Sequence, residues 1–308
     1  MKIAVIDIGT NTFNLLIASK PKNKLVLNKV TKEFVFLGKG GINKNIIQDD
    51  AILRAITTLK KFKVLCLENK VDSIHAIATS AVRNAKNKLS FVKQVFDETN
   101  IEVEIINGDA EAKFIYEGAR ESIDFKKKPI LLMDIGGGST EFIICNNQKI
   151  FWKKSFEIGA ARLFEKYQKS DQITTSEIEE IEGHITNTLS PLFNIAQDFN
   201  INTLVGSSGS FTSFAKIIAN KLGKPDDLIK TSNYIFNIQE YNYIHESILN
   251  STLKQRHNIK GLIKERAPMI VVGTVLVNFL LRKLKIEHFK LARYALKEGI
   301  ASDFFKNN

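Results

Sequence analysis

The sequence predicts an α/β protein built from two domains, and three observations carry that expectation. The chain has 308 residues, above the roughly 100–200 residues usual for one domain. Apolar strand-like runs alternate with helix-periodic segments along its first half. An internal echo is the most informative of the three. Ile6-Asp7-Ile8-Gly9-Thr10-Asn11-Thr12 leads into the apolar run Phe13–Ile17, and Met133-Asp134-Ile135-Gly136-Gly137-Gly138-Ser139 leads into Thr140–Ile144. In each copy a strand ends in Asp-Ile-Gly, turns through small polar residues and leaves as a second apolar strand, which reads as the duplication of one fold.

Strand-like runs open the first copy at Lys2–Ile6, Asn14–Ser19 and Lys24–Phe36. A helix is predicted over Ile46–Leu67, where Ile52, Ile56, Leu59 and Phe62 recur at helical spacing and mark one buried face. A strand at Ser73–Ala78, a helix near Leu89–Glu98, a strand at Glu102–Ile106 and a helix over Ala110–Glu121 follow. The charged stretch Asp124–Lys128 and Pro129 place the domain boundary at 125/126. Strands at Ile130–Asp134, Thr140–Cys145 and Lys149–Glu157 open the second copy. From Gly159 onward the text is mostly helical, interrupted by one short strand at Asn202–Val205. Within it, Thr174 and Glu177 form a capping-box signature ahead of Ile178, Ile181, Ile185, Leu189 and Leu192.

Composition bounds the function. With 44% hydrophobic and 25% charged residues, the chain is a globular protein and not a disordered or fibrous one. Forty-four Lys and Arg against 33 Asp and Glu leave a formal charge of +11, a field that attracts polyanions. The lysines are scattered, so generic surface charge stands beside an anion-binding face as an explanation. Cys66 and Cys145 sit in no CxxC spacing, which argues against a disulfide framework or a zinc site, and both are expected to be buried. The five histidines show no ligand spacing. The N-terminal segment reads as structure and not as an export peptide. Met269–Leu281, the longest apolar run, is too short to cross a bilayer. A cytoplasmic protein with neither membrane nor nucleic-acid partners is expected.

The echo also carries chemistry. Glycines at Gly9 and Gly136–Gly138 can take backbone angles closed to other residues and let successive amides converge on one anion. Thr10, Thr12, Ser139 and Thr140 add hydroxyl donors. Dinucleotide and P-loop cradles are excluded: both launch a helix, whereas an apolar strand follows Gly138, and neither loop has Gly-Lys-Ser/Thr. A hairpin-type phosphate loop remains. Asp7 and Asp134 each end a strand at the mouth of such a loop, where hard carboxylate oxygens suit Mg²⁺; an Asp that only caps its own turn is the alternative. Glu111, opening a helix after Gly108-Asp109, is the candidate group for activating water, with service to the helix dipole as its alternative. Arg83 is expected to end a strand where a guanidinium would match phosphate, although from the residues alone a surface arginine is the commoner reading. Gly206-Ser207-Ser208-Gly209-Ser210 follows a strand and opens a helix, giving a third anion site with Gly206, Ser207, Gly209 and Ser210 as donors. No Gly-x-Ser-x-Gly nucleophile motif occurs.

Taken together, IDIGTNTFNLLI, ATSAVRNAKN, INGDAEAKFIYEGA, LLMDIGGGSTEFI, SFEIGAARL, LVGSSGSFTSFA, GLIKERAPMIVVG and ALKEGI resemble, in order and spacing, the exopolyphosphatase/guanosine pentaphosphate phosphohydrolase (Ppx/GppA) family over nearly the whole chain. The resemblance implies two ribonuclease-H-like α/β domains of the actin-like ATPase superfamily flanking an interdomain cleft. It implies domains at 1–125 and 126–293, with a terminal helix of about 294–308 packing back on the first, as in the family's short two-domain form. It implies that Asp7, Asp134 and Glu111 serve metal and catalysis, with Glu111 as the catalytic glutamate, and that Mg²⁺ is the cofactor. Gly9, Thr10, Asn11, Thr12, Arg83, Gly136–Thr140, Gly206, Ser207, Gly209 and Ser210 are then the phosphate-binding set, with Arg266 of GLIKERAPMI beside the substrate path. The chain departs from the family at Ala110, where a first glutamate is usual, and in GSSGS, where Gly-Thr-Ala-Gly-Thr is commoner. The implied substrate is inorganic polyphosphate, or alternatively guanosine pentaphosphate (pppGpp), and the resemblance allows a homodimer. A small-molecule kinase on the same fold and a non-catalytic polyphosphate or alarmone sensor are the competing readings.

Overall fold

The computed structural model describes residues 1–21, 24–223 and 233–307. It divides into two compact units, one formed by Met1–Gly118 and the segment from Leu296, the other by Ala119–Ala295. The seam falls inside a helix, and residue 308 lies outside the described residues.

In the first unit, β1 (Lys2–Ile8), β2 (Thr12–Ser19) and β3 (Val26–Phe34) form an antiparallel meander. β4 (Ser73–Ala78) and β5 (Val103–Ile105) then add in parallel on the far side of β1, giving the order β3-β2-β1-β4-β5. The helices of this stretch are α1 (Asp49–Glu68), the single turn α2 (Ser80–Arg83), α3 (Lys88–Thr99) and α4 (Gly108–Ser122). Ile3, Ala4, Val5 and Ile6 are all fully buried, as a run of apolar residues in a sheet covered on both faces must be. Ala4 and Ile6 pack into the core that includes Ile52, Ala55 and Leu59 of α1. The opposite face of β1 meets the closing helix of the chain.

In the second unit the chain runs β6 (Ile130–Ile135), β7 (Thr140–Cys145), β8 (Ile150–Phe156), α5 (Ala160–Tyr167), α6 (Thr175–Thr188), α7 (Ser190–Ala196), β9 (Thr203–Ser207), α8 (Ser208–Lys221), β10 (Asn233–Phe236), α9 (Ile238–Leu249), α10 (Leu253–Arg256), a 3₁₀ turn at Lys264–Arg266, α11 (Ile270–Lys283) and β11 (His288–Ala292). The sheet order β8-β7-β6-β9-β11 repeats that of the first unit, with β10 appended antiparallel to β11. Both units are therefore ribonuclease-H-like: a three-stranded meander whose first strand continues into parallel neighbours. The single interrupting strand expected after Gly159 is corrected to three. β10 and β11 escaped notice because β10 has four residues at the sheet edge with Ile235 70% exposed, and β11 is a five-residue run whose His-Phe-Lys-Leu alternation is too short to stand out.

α12 (Leu296–Asn307) belongs to the first unit. Its Gly299 crosses α4 so closely that a Cβ would stand 1.8 Å from the Phe114 carbonyl oxygen, so only glycine allows this approach. The capping box at Thr174 and Glu177 forms as its sequence predicts, and the Glu177 carboxylate also accepts from the Lys169 and Ser170 amides at 2.6 and 2.8 Å. Cys66 and Cys145 are buried and unbridged; burial pushes the Cys66 thiol up to about 11, which leaves it a packing residue.

Candidate active site

The two echoed segments fold into the same turn. In the first, Ile8 pairs with Phe13 across a four-residue connection closed by Gly9 N–H donating to Thr12 O at 3.2 Å. In the second, Ile135 pairs with Thr140 and Gly136 N–H donates to Ser139 O at 3.0 Å. Gly9 and Gly136 were expected to be required for unusual backbone angles, yet neither has positive φ. Space is the reason instead: a Cβ would meet Thr12 O at 2.8 Å or Ser139 O at 3.0 Å.

Each turn is fastened from behind by the segment that follows the third strand of its unit. Val35 and Phe36 N–H donate to Asn11 O at 3.0 and 2.9 Å, and Gly38 N–H donates to Thr10 O at 2.9 Å. Arg54 of α1 anchors that brace through Nε to Val35 O at 2.8 Å. In the second unit Gly159, Ala160 and Ala161 N–H donate to Gly138, Gly136 and Gly137 O at 3.1, 2.9 and 2.8 Å. Arg162 Nε adds a bond to Gly138 O at 3.2 Å and its Nη2 pairs with Glu157 at 2.9 Å. The loop carbonyls are thus committed to the protein, and the N–H groups of the turn are the backbone donors an anion there would use.

β1, β4 and β5 run parallel, so their C-terminal ends share one edge of the first sheet, where ligands of open α/β sheets bind. Asp7 lies there opposite Asn14, whose Nδ2 donates to Asp7 Oδ2 at 2.9 Å. Thr79 N–H donates to Ile8 O at 3.3 Å, and the chain then makes α2, at whose end stands Arg83. The expected strand end at Arg83 is thus corrected: the strand stops at Ala78 and a helical turn intervenes. Beyond β5, Asn107 Oδ1 caps α4 by accepting Ala110 N–H at 2.8 Å, placing Glu111 in the first turn. Arg83 Nη1 reaches Glu111 Oε2 at 2.6 Å and Ile106 O at 3.4 Å. Both side chains are largely sheltered, 15% and 8% exposed, so the pair is stronger than a surface ion pair while each charge depends on the other.

In the second unit Asp134 ends β6 beside Ser207 at the end of parallel β9. Asp134 is 5% exposed and accepts three hydroxyl contacts. Ser207 Oγ donates to Oδ2 at 2.5 Å, while Ser208 Oγ stands 2.8 Å from Oδ1 and 2.7 Å from Oδ2. Ser208 has φ +69°, a left-handed conformation rare for a non-glycine residue. Arg266 Nη1 donates to Gly209 O at 2.7 Å and to Ser213 Oγ at 3.1 Å. A Cβ on Gly209 would stand 2.5 Å from the Arg266 guanidinium, so the glycine makes room for the arginine. Burial lowers the guanidinium to about 10, with Glu265 opposing.

Asp7, Gly9, Thr10, Asn11, Thr12, Arg83 and Glu111 therefore gather at one edge of the first unit. Asp134, Gly136–Thr140, Gly206, Ser207, Gly209, Ser210 and Arg266 lie in the second. Two expected donors are engaged inward: Thr140 is fully buried and donates to Ile158 O at 3.1 Å, and Ser207 is fully buried on Asp134. Asn14, Arg162 and Ser208 were missed. Asn14 follows from strand register once the turn is known, whereas nothing separates Ser208 from its serine neighbour in the sequence. Among the described residues no three His, Cys, Asp or Glu side chains gather into a metal cage. Mg²⁺, which takes one or two carboxylates together with substrate phosphates and water, needs none, and the hard-oxygen donor set around Asp134 suits it.

A family model described as the Ppx/GppA phosphatase family matches residues 16–308. The bifunctional 3-dehydroquinate synthase/phosphatase of Fusobacterium nucleatum is 35% identical over 292 residues, covering 90% of this chain and 43% of that protein. The guanosine-5'-triphosphate,3'-diphosphate pyrophosphatase of Photobacterium profundum is 27% identical over 96% of this chain and 58% of its own. The chain thus spans about half the length of these curated relatives. The crystal structure of an exopolyphosphatase from Cytophaga hutchinsonii superposes with a TM-score of 0.97 at 35% identity, covering 100% of this chain and 98% of that one.

Proposed function

We propose that this chain, which belongs to the Ppx/GppA phosphatase family, is a phosphoanhydride hydrolase that releases terminal orthophosphate from inorganic polyphosphate. The observation that carries the reading is the 2.6 Å pairing of Arg83 with Glu111 at the sheet edge where the Gly9–Thr12 turn also opens. A carboxylate base and a phosphate-matching guanidinium stand together there. In the proposed step a water oxygen attacks the terminal phosphorus while Glu111 accepts the proton. The bond from phosphorus to the bridging oxygen breaks, and the shortened chain leaves with that oxygen's electron pair. Arg83 and the amides of the Gly9–Thr12 turn bind the phosphoryl oxygens and offset the charge they carry in the transition state. When bound, Mg²⁺ would neutralise phosphate charge and orient the chain end; the carboxylates suited to it are Asp7 and Glu111 in the first unit and Asp134 in the second. A cytoplasmic location belongs to the same reading.

The 0.97 TM-score against a protein described as an exopolyphosphatase supports polyphosphate as the substrate. A second reading, removal of the 5'-terminal phosphate of pppGpp, is favoured by the Photobacterium relative. Purified protein with Mg²⁺ and either polyphosphate of defined length or pppGpp is expected to release phosphate from the polyphosphate ends, shortening the ladder one unit at a time. Preferential turnover of pppGpp moves the assignment to the second reading. Release from neither substrate overturns both.

A further inference from the structure

The hydroxyl of Ser208 is nearly equidistant from the two oxygens of Asp134, at 2.8 and 2.7 Å. A group so placed lies across the edge between the oxygens, the side on which a cation chelated by both would sit. Ser208 and a bidentate cation therefore exclude one another. The serine is held in place from several directions. Its φ of +69° disfavours a residue with a side chain, and such strain persists only where surroundings over-determine it. Here the Asp134 contacts hold its side chain, while Arg266 holds the next carbonyl, that of Gly209, at 2.7 Å. Ser207 bonds only Oδ2 of the carboxylate, at 2.5 Å, and leaves the chelating edge to Ser208.

We infer that Ser208 is a metal-specificity residue: by occupying the chelating edge of Asp134 it confines that carboxylate to one-oxygen or water-mediated contact with a divalent cation. Such contact serves Mg²⁺, which is small and keeps several of its waters. It handicaps Ca²⁺, whose 6–8 oxygen ligands commonly include bidentate carboxylates. The inference rests on the Mg²⁺-dependent reading above and concerns the choice of ion, not the hydrolytic step.

The test is isothermal titration of the full chain with MgCl₂ and, separately, CaCl₂, for wild type, Ser208→Ala, Ser208→Gly and Ser207→Ala. Glycine adopts φ +69° without strain, so Ser208→Gly keeps the fold while removing the hydroxyl. Both Ser208 variants are expected to gain about tenfold in Ca²⁺ affinity with Mg²⁺ affinity changed less than about twofold. Ser207→Ala, with its chelating edge still covered, is expected to keep the wild-type ratio. Unchanged Ca²⁺ affinity in both Ser208 variants, a parallel rise for both metals, the same shift in Ser207→Ala, or no binding heat from either metal would overturn the inference. Phosphate release by wild type is measured beside it. Release with unaltered metal choice removes only the role of Ser208, whereas altered metal choice without release from either substrate removes the hydrolase reading and leaves Ser208 standing.

Discussion

The two units use one scaffold for two different jobs. Each ends its first strand in Asp-Ile-Gly, closes the following turn with a glycine N–H, and braces that turn from the segment after its third strand. What surrounds the aspartate differs. Asp7 accepts from the side-chain amide of Asn14 and shares its sheet edge with the Arg83–Glu111 pair. Asp134 is wrapped by the hydroxyls of Ser207 and Ser208. The difference teaches that the turn is the inherited part and its neighbours the specialised part. A carboxylate–guanidinium pair collects in one unit, and a hydroxyl-wrapped carboxylate in the other.

The sharpest way to break this comparison is Glu111→Gln. It removes the one proton acceptor assigned to the first unit and keeps a similar shape, so phosphate release is expected to fall at least about a hundredfold. Far-UV circular dichroism is expected to stay near wild type, with the melting temperature lowered because the sheltered Arg83 loses its partner. An active Glu111→Gln variant would end the division of labour.

Next in size is a contrast between the two braces. A methyl at Gly159 would stand 2.4–2.5 Å from backbone atoms of Gly137 and Gly138, whereas one at Gly38 would meet the Thr10 methyl at 2.5 Å. Backbone cannot give way as a side chain can. Gly159→Ala is therefore expected to destabilise the second unit by about 1–3 kcal/mol and Gly38→Ala the first by less, as read from urea unfolding.

Acid should weaken the second unit in two steps. Burial, aided by the charge of Arg282, pushes His245 down to about 4. For Glu177 burial acts upward, but amide donation from Thr174, Ser170 and Lys169 outweighs it and brings the carboxyl to about 2. Both groups bind protons more readily unfolded, so stability falls with pH. The contribution of His245 is lost from its ordinary value of 6.5 down to about 4, and that of Glu177 from 4.5 down to about 2. Trp152, the single tryptophan of the chain, lies in β8 and reports on this unit by fluorescence. Glu177→Gln is expected to remove the lower step and leave the upper one.

The smallest effect tests the second unit away from its turn. Gly183 lies inside α6 with nothing within 4 Å of a built Cβ. Gly183→Ala is expected to stabilise by about 0.5–1 kcal/mol through helix propensity and a less flexible unfolded chain, seen as a raised melting temperature with activity unchanged.

Much of this arrangement was legible because it is local. The Asp-Ile-Gly echo is contiguous, the strand at Thr140–Cys145 matches its apolar run residue for residue, and the capping box at Thr174 is a fixed spacing. What escaped depends on distant partners. Arg83 closes a helical turn because Val82 and Arg83 N–H both find Thr79 O, a bond no hydrophobic period announces. Buried Arg256 is held by the carbonyls of Ser251, Ala267 and Asp171, which in sequence look like unrelated loop positions. Ser208 is distinguished only by its left-handed backbone, and Arg266, expected on substrate, spends its Nη1 on the α8 terminus.

The return of α12 to the first unit has a consequence for how the protein is made. The first unit is written in two separate segments, with residues 119–295 between them. At ribosomal rates of about 5–20 residues per second, that insertion delays the closing helix by on the order of ten seconds or more. During that interval, while the second unit is being synthesised, the face of β1 that α12 covers waits unsealed. The nascent first unit is thus the half left with an apolar face open to water, and it is the half into which Gly299 finally fits.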